Sequence, residues 1–167
     1  MNSRFQPGRT AASDPMTSTE VDALLGQARA LQIAVGKGTT HGMLRGKNLG
    51  LLCESEDTPE ALLFRRAARQ LGGHVSYVQA SLSELSTPRE LQRTARMLGR
   101  LYDAVECQGA AHALAPEIGA AAGVPVYGGL ASPAHPSARL AALLGDDTSP
   151  EDNRCFVVQA VLLTTIT

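Results

Sequence analysis

The sequence is short of three things, each of which would define a function class. Its three cysteines, Cys53, Cys107 and Cys155, are odd in number, far apart and free of any C-x-x-C spacing. Neither a disulfide framework nor a zinc site is indicated, and no metal or cofactor is expected. No stretch approaches the roughly 18 apolar residues of a membrane span. The most apolar run, residues 156–166, is too short for that and calls for burial against protein. Behind Arg4 and Arg9 there is no apolar segment of the kind a secretion signal carries. Charge of one sign is also missing: the net charge is −1 and the basic residues are scattered, which argues against a nucleic-acid or anionic-membrane surface. The expectation is a protein of the reducing cytoplasm, with no nucleic acid and no membrane among its partners.

What is present reads as a single domain. Residues 1–16 are rich in Ser, Arg, Pro and Gly and read as a disordered tail. Residues 17–148 form the body and 149–167 a terminal helix, a length that buries roughly two thirds of the surface of the unfolded chain. Thr19 is a good N-cap for a helix over residues 20–35, with Val21, Leu24, Leu25, Ala28, Leu31 and Ile33 at helical spacing. The glycine-rich, basic stretch 36–46, with Lys37 and His41, has the composition of a phosphate loop. It precedes a strand instead of following one, and so reads as a linker.

Strands are expected at 48–53, 74–79, 103–107 and 124–127, with helices at Thr58 to Leu71, Pro88–Leu101 and 110–122 between them. Pro59 lies in the first turn of its helix, and Gly72 and Gly123 follow the ends of theirs. Strand and helix alternating through short connections require right-handed crossovers. The fold class is α/β: a Rossmann-like three-layer αβα domain with a four-stranded parallel sheet. Ligands of such sheets bind at the carboxyl ends of the strands, here the loops after Cys53, Gln79, Cys107 and Tyr127. Cys53 and Cys107 both end strands on that side, either as a redox pair or as small buried apolar residues.

Read together, these loops resemble a family. Leu44-Arg45-Gly46-Lys47 is similar to the L-x-G-K strand entry of the aspartate/ornithine carbamoyltransferases. Gln70-Leu71-Gly72-Gly73-His74 resembles their Q-L-G-G-H, and Thr94-Ala95-Arg96-Met97-Leu98-Gly99-Arg100-Leu101-Tyr102-Asp103 their T-A-R-x-L-x-R-x-Y-D. Val124-Pro125-Val126-Tyr127-Gly128-Gly129-Leu130 with His135-Pro136 resembles V-P-V-x-N-G-L and H-P-T-Q. The likeness runs in register from about Thr17 to Leu144 and resumes at Glu151-Asp152-Asn153-Arg154, which resembles the family's C-terminal helix. It implies the carbamoyl-phosphate-binding half, with the second, amino-acid-binding domain missing between Leu144 and Ser149.

The resemblance also shows what has changed. The family holds carbamoyl phosphate with Ser-Thr-Arg-Thr-Arg at a helix N-terminus, where this chain has Asp57-Thr58-Pro59-Glu60-Ala61. Both arginines are gone, and Glu54, Glu56, Asp57 and Glu60 surround the place of the phosphate. The family's arginine after the third strand is Gln108, and the Gln of H-P-T-Q is Ala138, while His135 keeps the position of the carbamoyl-contacting histidine. Candidate ligand-binding residues are therefore Asp57, Thr58, Glu60, Gln108 and His135, with none catalytic. On their own chemistry, Asp57 or Thr58 also reads as an N-cap and Glu60 as a first-turn acid. Loop 81–87, a phosphate-contacting loop in the family, lacks the basic residue, although Arg89 is close by.

Three functions follow as expectations. The first is a non-catalytic binding, scaffold or regulatory protein in amino-acid metabolism that forms a homo-oligomer, a trimer by the family's pattern. The second is a residual carbamoyltransferase completed by a full-length carbamoyltransferase partner. The third is a binder of a small-molecule amine or amino acid in the acidic pocket.

Overall fold

Short apolar runs punctuated by proline- and threonine-capped helices build a parallel sheet in a computed structural model that describes residues 16–39, 42–79, 82–83 and 86–166. The expected tail through residue 15, His41 and part of the 81–87 loop lie outside the described residues. In chain order the elements are α1 (Ser18–Gly36), β1 (Asn48–Leu52), α2 (Pro59–Gln70), β2 (His74–Val78), α3 (Pro88–Leu101) and β3 (Ala104–Cys107). A 3₁₀ helix (Gly109–Leu114), α4 (Ala115–Ala122), β4 (Val126–Gly128), a second 3₁₀ helix (Pro136–Leu144) and α5 (Pro150–Thr165) complete the chain.

All strand pairs are parallel and the sheet order is β2-β1-β3-β4. Alternation along the strands divides the core into two layers. Leu49, Leu51, Ala104 and Tyr127 face α1, α2 and α5, where Leu31, Phe64, Phe156 and Val158 meet them. Leu52, Val105, Cys107 and Val126 face α3 and α4, against Leu91, Leu98 and Ile118. The expected three-layer αβα arrangement is the one observed. Cys53 packs beside the first layer and Cys107 within the second, and all three cysteines are free. Burial pushes the Cys107 thiol up to about 12, helped by the nearby Glu106, so it behaves as an inert apolar group.

The structure departs from the sequence reading at several places, the larger ones for local reasons. Helix α1 begins two residues early, because Thr17 rather than Thr19 is the cap. Thr17 Oγ1 accepts from Glu20 N at 3.2 Å while Glu20 Oε2 accepts from Thr17 N at 2.8 Å, a reciprocal box. Ile33 falls off the face set by Leu24, Ala28 and Leu31 and is 57% exposed. The helix expected over 110–122 is split, since Pro116 has no N–H to give to the His112 carbonyl. Ala115 N takes that carbonyl three residues back, so the first turns are 3₁₀. The fourth strand starts at Val126, where pairing with Val105 begins.

The tightest crossing is between α3 and α4. A Cβ on Gly99 would lie 1.8 Å from the Ala122 carbonyl oxygen, a backbone atom that cannot swing away. Gly99→Ala is therefore expected to destabilise by about 2 kcal/mol or more through overpacking. Gly26→Ala, with nothing within 4 Å of its added methyl, should be neutral or stabilise by up to about 1 kcal/mol through helix propensity. Urea unfolding of the two variants checks the contrast.

Candidate functional site

The chain leaves β1 toward β2 in one direction and returns across it to reach β3 on the other side. The loops that follow β1 and β3 therefore diverge and open a crevice at the carboxyl ends of the strands. A cleft of about 320 Å³ occupies this place, lined by Cys53, Glu54, Ser55, Thr58, Glu60, Gln108, Gly109, His112, Gly129 and Ser132.

Each wall has a structural cause. Gln108 N bonds the Leu52 carbonyl at 2.8 Å and Gly129 N the Cys107 carbonyl at 2.9 Å, which extends the strand ladders by one residue into the cleft. Gly109 has φ +59, and Glu54 folds over it: a Cβ there would sit 3.6 Å from the Glu54 carboxyl carbon. Tyr77 Oη donates to the Glu54 carbonyl at 3.4 Å. His112 lies against the backbone of Gly128 and Gly129, so close that a Cβ on either would come within 3.0 to 3.1 Å of the ring.

At the N-terminus of α2 two backbone donors are taken and one is missing. Pro59 has none, Ala61 N is bound by Thr58 Oγ1 at 3.1 Å, and Leu62 N by the Thr58 carbonyl at 3.0 Å. Glu60 lies in the first turn of the helix, where an acid complements its dipole.

Beneath the cleft floor sits a fully buried carboxylate. Glu106, 0% exposed, accepts from Leu130 N at 2.9 Å and Ala131 N at 3.1 Å. From the other side Arg154 of α5 donates to the Leu130 carbonyl at 2.6 Å and the Ser132 carbonyl at 3.1 Å. Burial pushes the Glu106 carboxyl up to about 7, against the pull of those N–H groups. Burial lowers the Arg154 guanidinium, and Glu106 opposes that shift.

Gln108, 5% exposed, stands between this carboxylate and the cleft. Its Nε2 reaches Glu106 Oε2 at 3.4 Å, while its Oε1 is buried without a partner. An unmet buried acceptor costs about 1–3 kcal/mol.

Of the five residues proposed from sequence, Thr58, Glu60 and Gln108 line the cleft. Asp57 does not; its N–H turns back to Ser55 Oγ at 3.3 Å. Nor does Glu56, which pairs with Arg65 at 3.0 Å, so the acids at the cleft are Glu54 and Glu60. His135 also lies outside the lining. It is the N-cap of the second 3₁₀ helix, its Nδ1 accepting from Ser137 N at 3.2 Å and meeting Ser137 Oγ at 2.8 Å. Burial, with Arg154 and His112 nearby, lowers its pKa to about 4. Sequence reasoning missed His112 and Glu106. The signal for Glu106 was present, as a lone acid inside a four-residue buried strand.

This geometry defines a class first: a Rossmann-like domain whose cleft opens at the switch point of its sheet. Residues 11–145 match the family described as aspartate/ornithine carbamoyltransferase, carbamoyl-P binding domain, and the chain belongs to that family. The ornithine carbamoyltransferase of Actinobacillus pleuropneumoniae is 38% identical over 128 residues, which are 77% of this chain and 38% of that protein. That of Streptococcus uberis is 35% identical over 141 residues, 84% of this chain and 42% of the relative. Among solved structures, ornithine carbamoyltransferase from Pyrococcus furiosus matches with a TM-score of 0.64 and 28% identity, over 77% of this chain and 41% of that one. Aspartate transcarbamoylase from Trypanosoma cruzi in complex with N-(phosphonacetyl)-L-aspartic acid matches at TM-score 0.61 and 22% identity, a likeness of fold. The chain thus spans 38% to 42% of the length of these curated relatives.

The buried Glu106 and the half-buried His135 give opposite pH dependences. Glu106, raised to about 7, contributes stability that is lost as pH rises from about 4.5 to 7. His135, lowered to about 4, contributes stability that is lost as pH falls from about 6.5 to 4. Between about pH 4.5 and 6.5 the two oppose one another and the wild type changes little through them. In His135→Asn, which keeps a capping oxygen, the Glu106 effect stands alone. Its stability is expected to fall relative to wild type as pH rises through that window, by at most about 1.4 kcal/mol per pH unit and less for a partly exposed ring. Urea titrations at the two ends of the window measure it.

Proposed function

We propose that this chain is a non-catalytic member of the carbamoyltransferase family, a cytoplasmic binding, scaffold or regulatory protein that keeps the frame of the carbamoyl-phosphate half without its chemistry. The observation that carries the reading is the N-terminus of α2. There a phosphate would need free N–H groups and cations, and the chain supplies Thr58 as its own cap, Pro59 without an N–H, and Glu60. By the family pattern both arginines of that motif are replaced, and Gln108 stands where a third would be. Losing two charge-assisted contacts at about 1.5–3 kcal/mol each weakens an anion by roughly two to four orders of magnitude. No Lys or Arg is among the described residues that line the cleft.

The chain continues from the second 3₁₀ helix to α5 through only residues 145–149. An amino-acid-binding domain, which the family places between these elements, is absent from that connection. Leu62, Met97, Leu101 and Leu143 are large, apolar and exposed, and supply surface for association of copies into the family's trimer.

Titration of the purified chain with carbamoyl phosphate should give no heat, and assays for citrulline and carbamoyl-aspartate should stay blank. Light scattering should report a trimer. Turnover by the pure protein overturns the reading. Turnover that appears only on adding a full-length carbamoyltransferase, above that enzyme's own rate, replaces it with a partner-completed enzyme.

A further inference from the structure

We propose that copies of this chain associate head to tail, with the arginine face of α3 on one copy seated on the acidic segment 143–151 of the next. This deepens the reading that copies associate, on which it rests, by naming the contact.

Arg89, Arg93, Arg96 and Arg100 follow one another at intervals of four, three and four residues. At 3.6 residues per turn they fall within about 60° of one another and span about 16 Å of helix. Leu91, Ala95 and Leu98 are buried on the opposite side of α3, so the four arginines form its outward face, and all are exposed. Bases that look scattered along the chain are thus gathered into one stripe. None of the four guanidinium groups makes an ion pair or a hydrogen bond among the described residues. The acid of this helix, Glu90, is turned back to the cap, where it accepts from Thr87 N at 3.0 Å. Beside the stripe Met97 and Leu101, one turn apart, are 49% and 57% exposed.

A complementary surface lies in the other layer. Asp146, Asp147 and Glu151 are exposed, on a segment fixed by Asn153 Nδ2 donating to the Gly145 carbonyl at 2.9 Å and Gln32 Nε2 to Thr148 Oγ1 at 2.8 Å. Their carboxylates make no ion pair or hydrogen bond among the described residues. Two bases beside the segment are engaged: Arg29 donates to the Leu143 carbonyl at 3.4 Å, and Arg66 pairs with Asp152. Leu143 itself is 54% exposed. Each surface therefore joins exposed apolar side chain to unpaired charge, and the two signs are opposite, the pattern by which surfaces select one another.

The placement excludes pairing within one chain. Helix α3 covers the sheet together with α4, whereas the segment packs with α1 and α5 on the opposite face. The contact joins different patches on two copies, so it closes into a ring or continues from copy to copy. The acids Glu54 and Glu60 are not the complement, because a helix about 10 Å across does not enter a cleft of about 320 Å³. Exposed ion pairs are individually weak, so the association depends on several at once and on salt.

The test is light scattering and sedimentation of the purified chain at ~0.1 mM. Wild type should associate in low salt and lose most of that association in ~1 M sodium chloride, where the screening length falls to about 3 Å. Arg93→Glu with Arg96→Glu, and separately Asp146→Lys with Asp147→Lys, should each weaken association about tenfold or more. The two variants mixed should associate again, as should a chain carrying all four substitutions, since opposite signs then face one another. Lys37→Glu, exposed at the end of α1, should change nothing. Melting curves of each variant establish that it is folded.

A wild type that stays monomeric overturns the contact together with the association of copies. An oligomer that neither pair of reversals weakens overturns the contact and leaves the association standing. Loss in the arginine variant alone, with no recovery on mixing, overturns it as well, since the stripe then meets a surface other than 143–151.

Discussion

The loop 130–132 is held by two side chains, the buried Glu106 carboxyl and the half-buried Arg154 guanidinium, and the rest of the molecule is arranged around that clamp. Glu106 receives its N–H groups and Arg154 supplies donors to its carbonyls. A loop turned inward would otherwise bury unpaired backbone groups, which natural structures avoid almost completely. The two side chains come from β3 and from α5, far apart in the chain. The strand end, the cleft wall and the terminal helix are thereby fixed by one set of hydrogen bonds. The clamp is incomplete on one side: Arg154 Nη1 is buried without a hydrogen-bond partner, which costs about 1–3 kcal/mol or more for a charged group.

The docking of α5 follows from that clamp. Its residues Phe156, Val157, Val158, Ala160 and Leu162 are buried against α1 and α2, as the apolar run 156–166 requires. Polar contacts set its position along the groove: Gln159 Nε2 donates to the Ala67 carbonyl at 3.2 Å, and Arg66 pairs with Asp152. The connection before α5 is latched from both sides. Asn153 Nδ2 donates to the Gly145 carbonyl at 2.9 Å, and Gln32 Nε2 reaches Leu144 O at 3.2 Å and Thr148 Oγ1 at 2.8 Å. A short, hydrogen-bonded connection keeps α5 beside the domain at little loop-closure cost.

Much of this was legible in the sequence where a local rule acts alone. Pro88, Pro59 and Pro150 mark helix starts, Gly123 a helix end with φ +74, and the apolar runs mark strands. The reading slipped where two local signals competed. Thr17 and Thr19 both qualify as caps, and the glutamate three residues after Thr17 decides between them. Pro116 interrupts an alanine-rich run that propensity alone would make continuous. Of the residues the family motifs singled out, Thr58, Glu60 and Gln108 line the cleft. The motifs also suggested Asp57 and His135, whose positions depend on side-chain direction in a turn and at a cap, which motif spacing does not specify. Glu106 and Arg154 were invisible as a pair, because nothing in a linear pattern says that strand three and the last helix converge on one loop.

The polar character of the cleft follows from how the start of α2 is satisfied. A helix N-terminus offers unpaired donors and a positive dipole end, and either a bound anion or the protein's own residues can satisfy them. Thr58 accepts from Ala61 and Leu62 here, Glu60 adds an acid to the first turn, and Pro59 removes a donor altogether. Once that end is satisfied internally, the remaining polar groups facing the cleft decide what can enter. These are the Glu54 and Glu60 carboxylates and the hydroxyls of Ser55, Thr58 and Ser132. Glu106 also reaches the cleft wall, since Gln108 Nε2 is drawn toward the buried carboxyl at 3.4 Å. The carboxyl that anchors the loop thus also sets the orientation of the Gln108 amide.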